Sequence, residues 1–348
     1  MKDILIDKYN STIILTLNRE RVLNALNLNM VRMIAENISK WNDDDSISAV
    51  LLKGAGNKAF CAGGDIVSVY HEKNNKKSTL SYDFFREEYL LNYEISKFKK
   101  PWISLLNGIA MGGGLGLSVH GSHRILGSKT ITAMPETAIG LFPDVGGGYF
   151  LSRINHSIGT YLALTGKTLD ADNSAYVKIG THLLEDDMIE ESIKKILDLK
   201  KYGRDEVNNL LDMYDIKNKT SPSLKKEADI ISKHFNKNNI FDIFKSLEEE
   251  NSQWSKEQLD ILEKKSPTSM GVATKQLNIS NKLNLKDCLS MEFRICQSMM
   301  AKHDFYEGVR ANLVDKDRNP KWHPKNVHEL DMNLIESHFK HLKEKELF

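Results

Sequence analysis

The chain has 348 residues, and its Lys+Arg 48 against Asp+Glu 47 leave a formal net charge of +1. That length buries a large core without cross-links and suits one large domain or two smaller ones. Balanced charge argues against the broad basic field of a nucleic-acid binder. Cys61, Cys288 and Cys296 form no C-x-x-C pair, so neither a disulfide framework nor a zinc ribbon is expected. No run approaches the roughly 18 apolar residues of a membrane span. The N-terminus enters strand-like text directly, with no apolar signal core and too little arginine for a transit peptide.

In chain order, two β-branched runs, ILI and TIILTL within residues 3–18, flank the turn-like DKYNS and predict a hairpin. Leu28, Val31, Ile34, Ile38 and Trp41 recur at helical spacing and predict a helix over 28–41. SAVLLKGAG reads as a buried strand ending in a glycine turn, and AFCAGGDIVSVY as a loop leading into a helix. WISLLNGIAMGGGLGLSVHG repeats that logic as strand, glycine-rich turn and helix start, and RILGS and ITAMPE continue it. Such units imply a sheet with helical crossovers, an α/β arrangement. From about residue 185 to 310 Lys, Glu, Leu and Ile at helical spacing dominate. The expected organisation is therefore an α/β core over 1–180 carrying the active site, then a mostly helical region over 181–348. Lysine clusters such as KKPW at 99–102 and KKSP at 264–267 read as solvated surface.

Two tempting motifs fail on count. GTYLALTGKT at 159–168 ends like a phosphate-binding loop but has Tyr161 where a glycine is needed. GGGLGLSVHG, counted as G-x-G-x-x-G from Gly114, ends on Val119. His120 and His123 lack further ligand-type neighbours, so no metal is expected there.

The glycine turns CAGGD (61–65) and MGGGLG (111–116) are more informative, each following a predicted strand and preceding a predicted helix. Glycine lets a backbone approach a ligand closely, and paired N–H donors are what an oxyanion hole requires. One such turn alone is ordinary packing. Glu88 falls on the apolar stripe of Phe84, Leu91, Ile95 and Phe98, where a carboxylate is costly unless partnered. An edge salt bridge would explain it as well as a functional role. Glu136 and Asp144 are the only charges in AMPETAIGLFPDVGGGYF. Asp between Pro and Val-Gly is also ordinary turn chemistry. Gly140 and Pro143 exclude one continuous helix presenting both, so the loop must fold back for them to meet. In apolar surroundings such carboxyls gain raised pKa values and can act as acid or base.

LNRERVLNALN, KAFCAGGD, NGIAMGGGLGLS and MPETAIGLFPDVGGG resemble, in order, the successive motifs of the crotonase (enoyl-CoA hydratase/isomerase) superfamily. LALTGK and HDFYEGVRANLVDKDRNPKW (303–322) resemble its acyl-CoA thioester hydrolases in particular. The likeness covers 1–180 and resumes over 265–325, while 185–260 matches only as generic helix.

The resemblance implies a crotonase-like spiral of ββα units, with a helical C-terminal region closing over the acyl-CoA. It implies an oxyanion hole of the Gly64 and Gly113 N–H groups, with Glu88, Gly113, Glu136 and Asp144 binding the substrate. Glu136 and Asp144 are the implied catalytic pair: Glu136 attacks the thioester or activates water, and Asp144 holds a substrate hydroxyl. Coenzyme A is expected along LNAL (23–26) and AFCAGGD as part of the substrate, with no separate cofactor and no metal. Gly116 stands where hydratases carry a second glutamate, which argues against hydration. The alternatives are a hydratase/isomerase or a non-catalytic acyl-CoA- or RNA-binding member. An acyl-CoA is the expected partner, with no nucleic acid and no membrane; self-association stays open. The expected location is the cytoplasm, or the mitochondrial matrix if a transit peptide is absent from this chain.

Overall fold

The computed structural model describes residues 2–72, 75, 78–199 and 203–348. Residues 200–202, inside the run expected to be helical, lie outside the described residues. The chain divides into two compact units, Met1–Gly64, Leu90–Ala133 and Thr168–Lys225 in the first, Asp65–Tyr89, Met134–Lys167 and Lys226–Phe348 in the second.

The first unit holds the nine strands found among the described residues. β1 (Ile4–Tyr9) and β2 (Thr12–Leu17) form the expected antiparallel hairpin, with Tyr9 opposite Thr12 across a two-residue turn. Asn10 opens that turn at φ 51, a conformation asparagine tolerates. Helix α1 (Leu28–Asp43) follows, capped by the Asn27 side chain, which accepts the Met30 N–H at 2.8 Å. It buries Met30, Val31, Ile34, Ile38 and Trp41; Leu28, expected in that stripe, is only half-buried in the first turn. Lys100 of the KKPW cluster is not merely solvated: its ammonium donates to the carbonyls of Trp41 and Asp44 where α1 ends.

β3 (Ala49–Gly54), β5 (Trp102–Leu105), β7 (His123–Leu126) and β9 (His182–Leu183) extend the hairpin into a six-stranded sheet of order β1-β2-β3-β5-β7-β9, parallel from β2 onward. β4 (Ala59–Cys61), β6 (Ile109–Met111) and β8 (Ile131–Ala133) form a second parallel sheet of order β4-β6-β8. Successive strands therefore alternate between two sheets, which generates a spiral of ββ turns. The sequence pattern predicts one strand between Trp102 and the glycine-rich turn. It is two, broken at 106–108, because each half belongs to a different sheet.

α8 (Asp186–Leu197) and α9 (Arg204–Asp212) pack Ile189, Ile196, Val207 and Leu211 on Leu51, Ile103 and Ile125 of the larger sheet. α8 and α9, within the run read only as generic helix, thus cover one face of that sheet. Among the described residues the last strand ends at Leu183, and the elements after it are helices.

The second unit is built on α13 (Pro267–Ser280), buried nearly all round and packed against α5 (Gly147–Leu151) and α6 (Ile158–Thr165). α14 (Leu285–Met300), α15 (His303–Val309) and α16 (Met332–Ser337) complete its C-terminal part. α3 (Leu80–Lys97) runs through residues of both units, with Leu80–Tyr89 in the second. Among the described residues no helix is long and apolar enough to cross a membrane.

Candidate active site

In the first unit, the two glycine turns leave the C-terminal ends of neighbouring parallel strands, β4 and β6, whose register pairs Ala59 with Ile109 and Cys61 with Ala110. The turns pack directly on each other. A Cβ on Gly114 would stand 2.2 Å from the Cys61 carbonyl oxygen, so only glycine fits that approach. Gly113 is the first residue of α4 (Gly113–Val119), where N–H groups have no partner within the helix. Gly64 forms a parallel bridge with Leu26, and the Leu26 N–H donates to the Gly63 carbonyl at 2.8 Å. Buried Asn24 secures the 19–26 loop: its amide donates to the Ala55 and Ala59 carbonyls and its oxygen accepts the Arg19 N–H. Gly116 lies buried inside α4 and brings no carboxyl to this edge.

In the second unit, Glu88, Glu136 and Asp144 are brought together in the interior, at 2%, 6% and 4% exposure. Glu88 points inward with Phe84, as its stripe predicted. The loop does fold back. A 3-10 turn, Glu136–Ile139, ends at Gly140 in the left-handed region, and the Leu141 N–H closes on the Glu136 carbonyl at 3.1 Å. Val145, directly after Asp144, sits at φ 51, a strained conformation for a β-branched residue.

The electrostatics follow from burial. Desolvation pushes Asp144 up to about 6, opposed by the Tyr89 hydroxyl, which donates to Asp144 Oδ2 at 2.7 Å. Desolvation and then the Asp144 charge raise Glu88 and Glu136 further, and Glu136 also feels Glu88. Glu88 Oε1 and Glu136 Oε2 have no hydrogen-bond partner. Three mutually repelling buried carboxyls cannot all ionise together, and Asp144, which accepts the Tyr89 hydroxyl, is the one whose charge the surroundings favour most.

Sequence reasoning missed what holds this loop. Glu292 of α14 is fully buried; its Oε2 accepts the Gly146 N–H at 2.7 Å and its Oε1 the Gly148 N–H at 2.9 Å. Gln276 of α13 donates to Glu292 Oε1 at 2.9 Å and to the Pro143 carbonyl at 2.8 Å. Burial pushes Glu292 up to about 8, with the two N–H donors opposing the rise. A Cβ on Gly148 would stand 2.9 Å from Glu292 Oε1 and 2.5 Å from Ser280 Oγ, so this clamp requires glycine. The signal was legible: Glu292 sits among Leu289, Phe293 and Cys296, the same lone-carboxylate test that found Glu88. Tyr89 had no such mark. Cys296, beside Tyr89, is a thiol that burial pushes well up, which makes it a poor nucleophile.

His123 is a buried histidine pushed down to about 4 by desolvation, bonded to Ser122 and the Arg204 carbonyl. Among the described residues one group, His182, Asp212 and Asp215, has ligand-type atoms within 4.8 Å of one another. The Lys217 ammonium lies 2.5 Å from Asp215 and already supplies a cation there.

Residues 12–339 match the family model described as enoyl-CoA hydratase/isomerase. The chain belongs to the enoyl-CoA hydratase/isomerase family. This family member is 41% identical over 345 residues to the mitochondrial 3-hydroxyisobutyryl-CoA hydrolase of Homo sapiens, covering 98% of this chain and 89% of that one. The Danio rerio protein of the same name is also 41% identical, over 99% of this chain and 91% of its own. The crystal structure of a carnitinyl-CoA dehydratase from Mycobacterium thermoresistibile superposes with TM-score 0.92 at 32% identity, covering 100% of this chain and 99% of that one. An enoyl-CoA hydratase from Rhodobacter sphaeroides 2.4.1 gives 0.90 at 30%, with full coverage of both chains. The alternating-sheet spiral is accordingly the crotonase fold.

Proposed function

We propose that this family member hydrolyses 3-hydroxyisobutyryl-CoA to 3-hydroxyisobutyrate and coenzyme A, a step of valine breakdown. The observation that carries the reading is the buried Glu88–Glu136–Asp144 cluster, with Gly116 in place of a second hydratase carboxylate. The hydrolase relatives, matched over nearly their whole length, support the same substrate.

In the proposed mechanism the N–H groups of Gly64 and Gly113 hold the thioester carbonyl oxygen, where removal of one such donor typically costs about 10²–10³ in rate. The charged Asp144 takes the Glu136 proton as substrate displaces water, so Glu136 becomes the reactive carboxylate without a change in net charge. Glu136 then either removes a proton from water as it attacks the carbonyl carbon, or attacks it directly to give an anhydride that water opens. The carbon–sulfur bond breaks, and the coenzyme A thiolate leaves with a proton from Glu136 in the first route and from Asp144 in the second. Asp144 also accepts the substrate's 3-hydroxyl, and Glu88 hydrogen-bonds within the acyl pocket. The chemistry asks for no separate cofactor and no metal. The relatives' names place them in mitochondria, which favours the matrix for this chain. Self-association is tested by sedimentation velocity of the purified protein in the analytical ultracentrifuge.

Free-thiol release over a panel of 3-hydroxyacyl and enoyl thioesters tests the reading. Fast release from 3-hydroxyisobutyryl-CoA is expected. The 3-hydroxypropionyl thioester, smaller by one methyl, should be disfavoured by only about 10–200-fold. The two solved relatives named dehydratase and hydratase favour a second reading, hydration of an enoyl-CoA. Loss of crotonyl-CoA absorbance without thiol release would establish it instead.

A further inference from the structure

A cavity of about 230 Å³ opens in the second unit on the far end of the turn that carries Glu136, with Gly140 in its wall and Met299 and Leu334 as apolar lining. None of Glu88, Glu136 and Asp144 lines it. Its polar residues are Thr268, Lys302, His303, Asp304, His323 and His338.

Two of these are buried with unmet hydrogen-bonding capacity. His338, at the C-terminal end of α16, is 1% exposed, and neither ring nitrogen has a partner. Thr268, in the first turn of α13, is 6% exposed with an unpartnered hydroxyl. Leaving a buried polar group unsatisfied is costly, so a cavity that keeps two such side chains together is shaped for an occupant.

The remaining groups are already engaged. Asp304 accepts the Ser266 hydroxyl at 2.7 Å and the His323 N–H at 2.8 Å. His303 Nε2 meets the Lys321 carbonyl at 2.9 Å, and its ring stacks on His323 at 4.2 Å between centroids. Lys302 is exposed, makes no ion pair among the described residues, and is near enough to His338 to disfavour its protonation.

We infer that this cavity binds a short-chain carboxylate, held between the Lys302 ammonium and the His338 ring, with Thr268 bonding a second oxygen and the hydrocarbon on Met299 and Leu334. At about 30 Å³ per water the space equals roughly eight waters, the size of a small organic acid rather than a nucleotide or a coenzyme. The inference does not depend on the chemistry proposed at Glu136. Lys302, His303, Asp304 and His323 are the titratable groups of the cavity besides His338; Gly140, Thr268, Met299 and Leu334 bring none. Burial, and then Lys302, push the His338 imidazole down to about 4, which favours its neutral form. An arriving anion neutralises Lys302, meets the Asp304 carboxylate, and favours the imidazolium. Binding therefore takes up one proton and tightens as pH falls.

The test follows the His338 imidazole by NMR in the intact protein, its resonance identified as the one lost in His338→Gln, during titration with isobutyrate. The expected result is a saturable shift to the imidazolium position, with affinity about tenfold weaker per unit of pH between about 5.5 and 6.5. Lys302→Gln, an exposed change that leaves the fold alone, should weaken binding about tenfold. Isobutyramide should not protonate the ring. A His338 resonance unmoved by millimolar isobutyrate, an equal response to isobutyramide, or an unchanged affinity in Lys302→Gln would each overturn the inference, as would a cavity holding only water.

Discussion

Asp144 is the carboxyl on which the pH dependence of this site turns. Its pKa of about 6 lies above the ordinary 3.8 because burial disfavours the charge, and the Tyr89 hydroxyl partly offsets that. If the charged form accepts the Glu136 proton, kcat/KM falls about tenfold per unit as pH drops below about 6. Tyr89→Phe removes a bond made to the charged form, so the acid limb of the profile should move to higher pH by roughly one unit. An unmoved limb would detach Asp144 from the titration. Glu292 acts one layer back. Glu292→Gln sets an NH₂ group against a backbone N–H, so kcat should fall about tenfold or more with KM nearly unchanged, and stability by about 1–3 kcal/mol. Steady-state kinetics and urea unfolding of the same preparation separate the two effects. These residues were unequally legible in the sequence. Glu88 and Glu292 betray themselves as lone charges on apolar helix faces. Tyr89 does not, because an aromatic on a buried face is ordinary core.

Turns between strands and helices place the reacting groups, and turn chemistry is local enough to read. The hairpin, α1 and the glycine turns were legible because periodicity and capping residues mark them. The break between β5 and β6 was not, since nothing in a continuous apolar run says that its halves enter different sheets. The close approach of the CAGGD and MGGGLG turns, also non-local, gives a sharp expectation. Gly114→Ala places a Cβ 2.2 Å from the Cys61 carbonyl oxygen and must force the turns apart. Thiol release should fall by about 10²-fold or more, as when an oxyanion donor is misplaced. Activity within twofold of the parent would show that these turns do not hold the carbonyl.

Across the whole molecule, each compact unit gathers segments distant in sequence, a pattern that local reading does not show. The expected divide at residue 180 falls just before the last strand, β9, whereas the first unit continues to Lys225 because α8 and α9 cover its larger sheet. Leu211→Ala in that cover should cost about 2–5 kcal/mol, measured by urea unfolding, with little change in kcat at a temperature where the variant stays folded. A parallel loss of kcat would tie the cover to catalysis. The account stands most directly on one measurement, free-thiol release from 3-hydroxyisobutyryl-CoA by the parent and by Glu136→Gln. The amide keeps the size of the carboxyl but cannot act as nucleophile or base, so the rate should fall about 10²–10⁴-fold with acyl-CoA binding within a few-fold of the parent. Near-parental thiol release by Glu136→Gln would contradict the assignment.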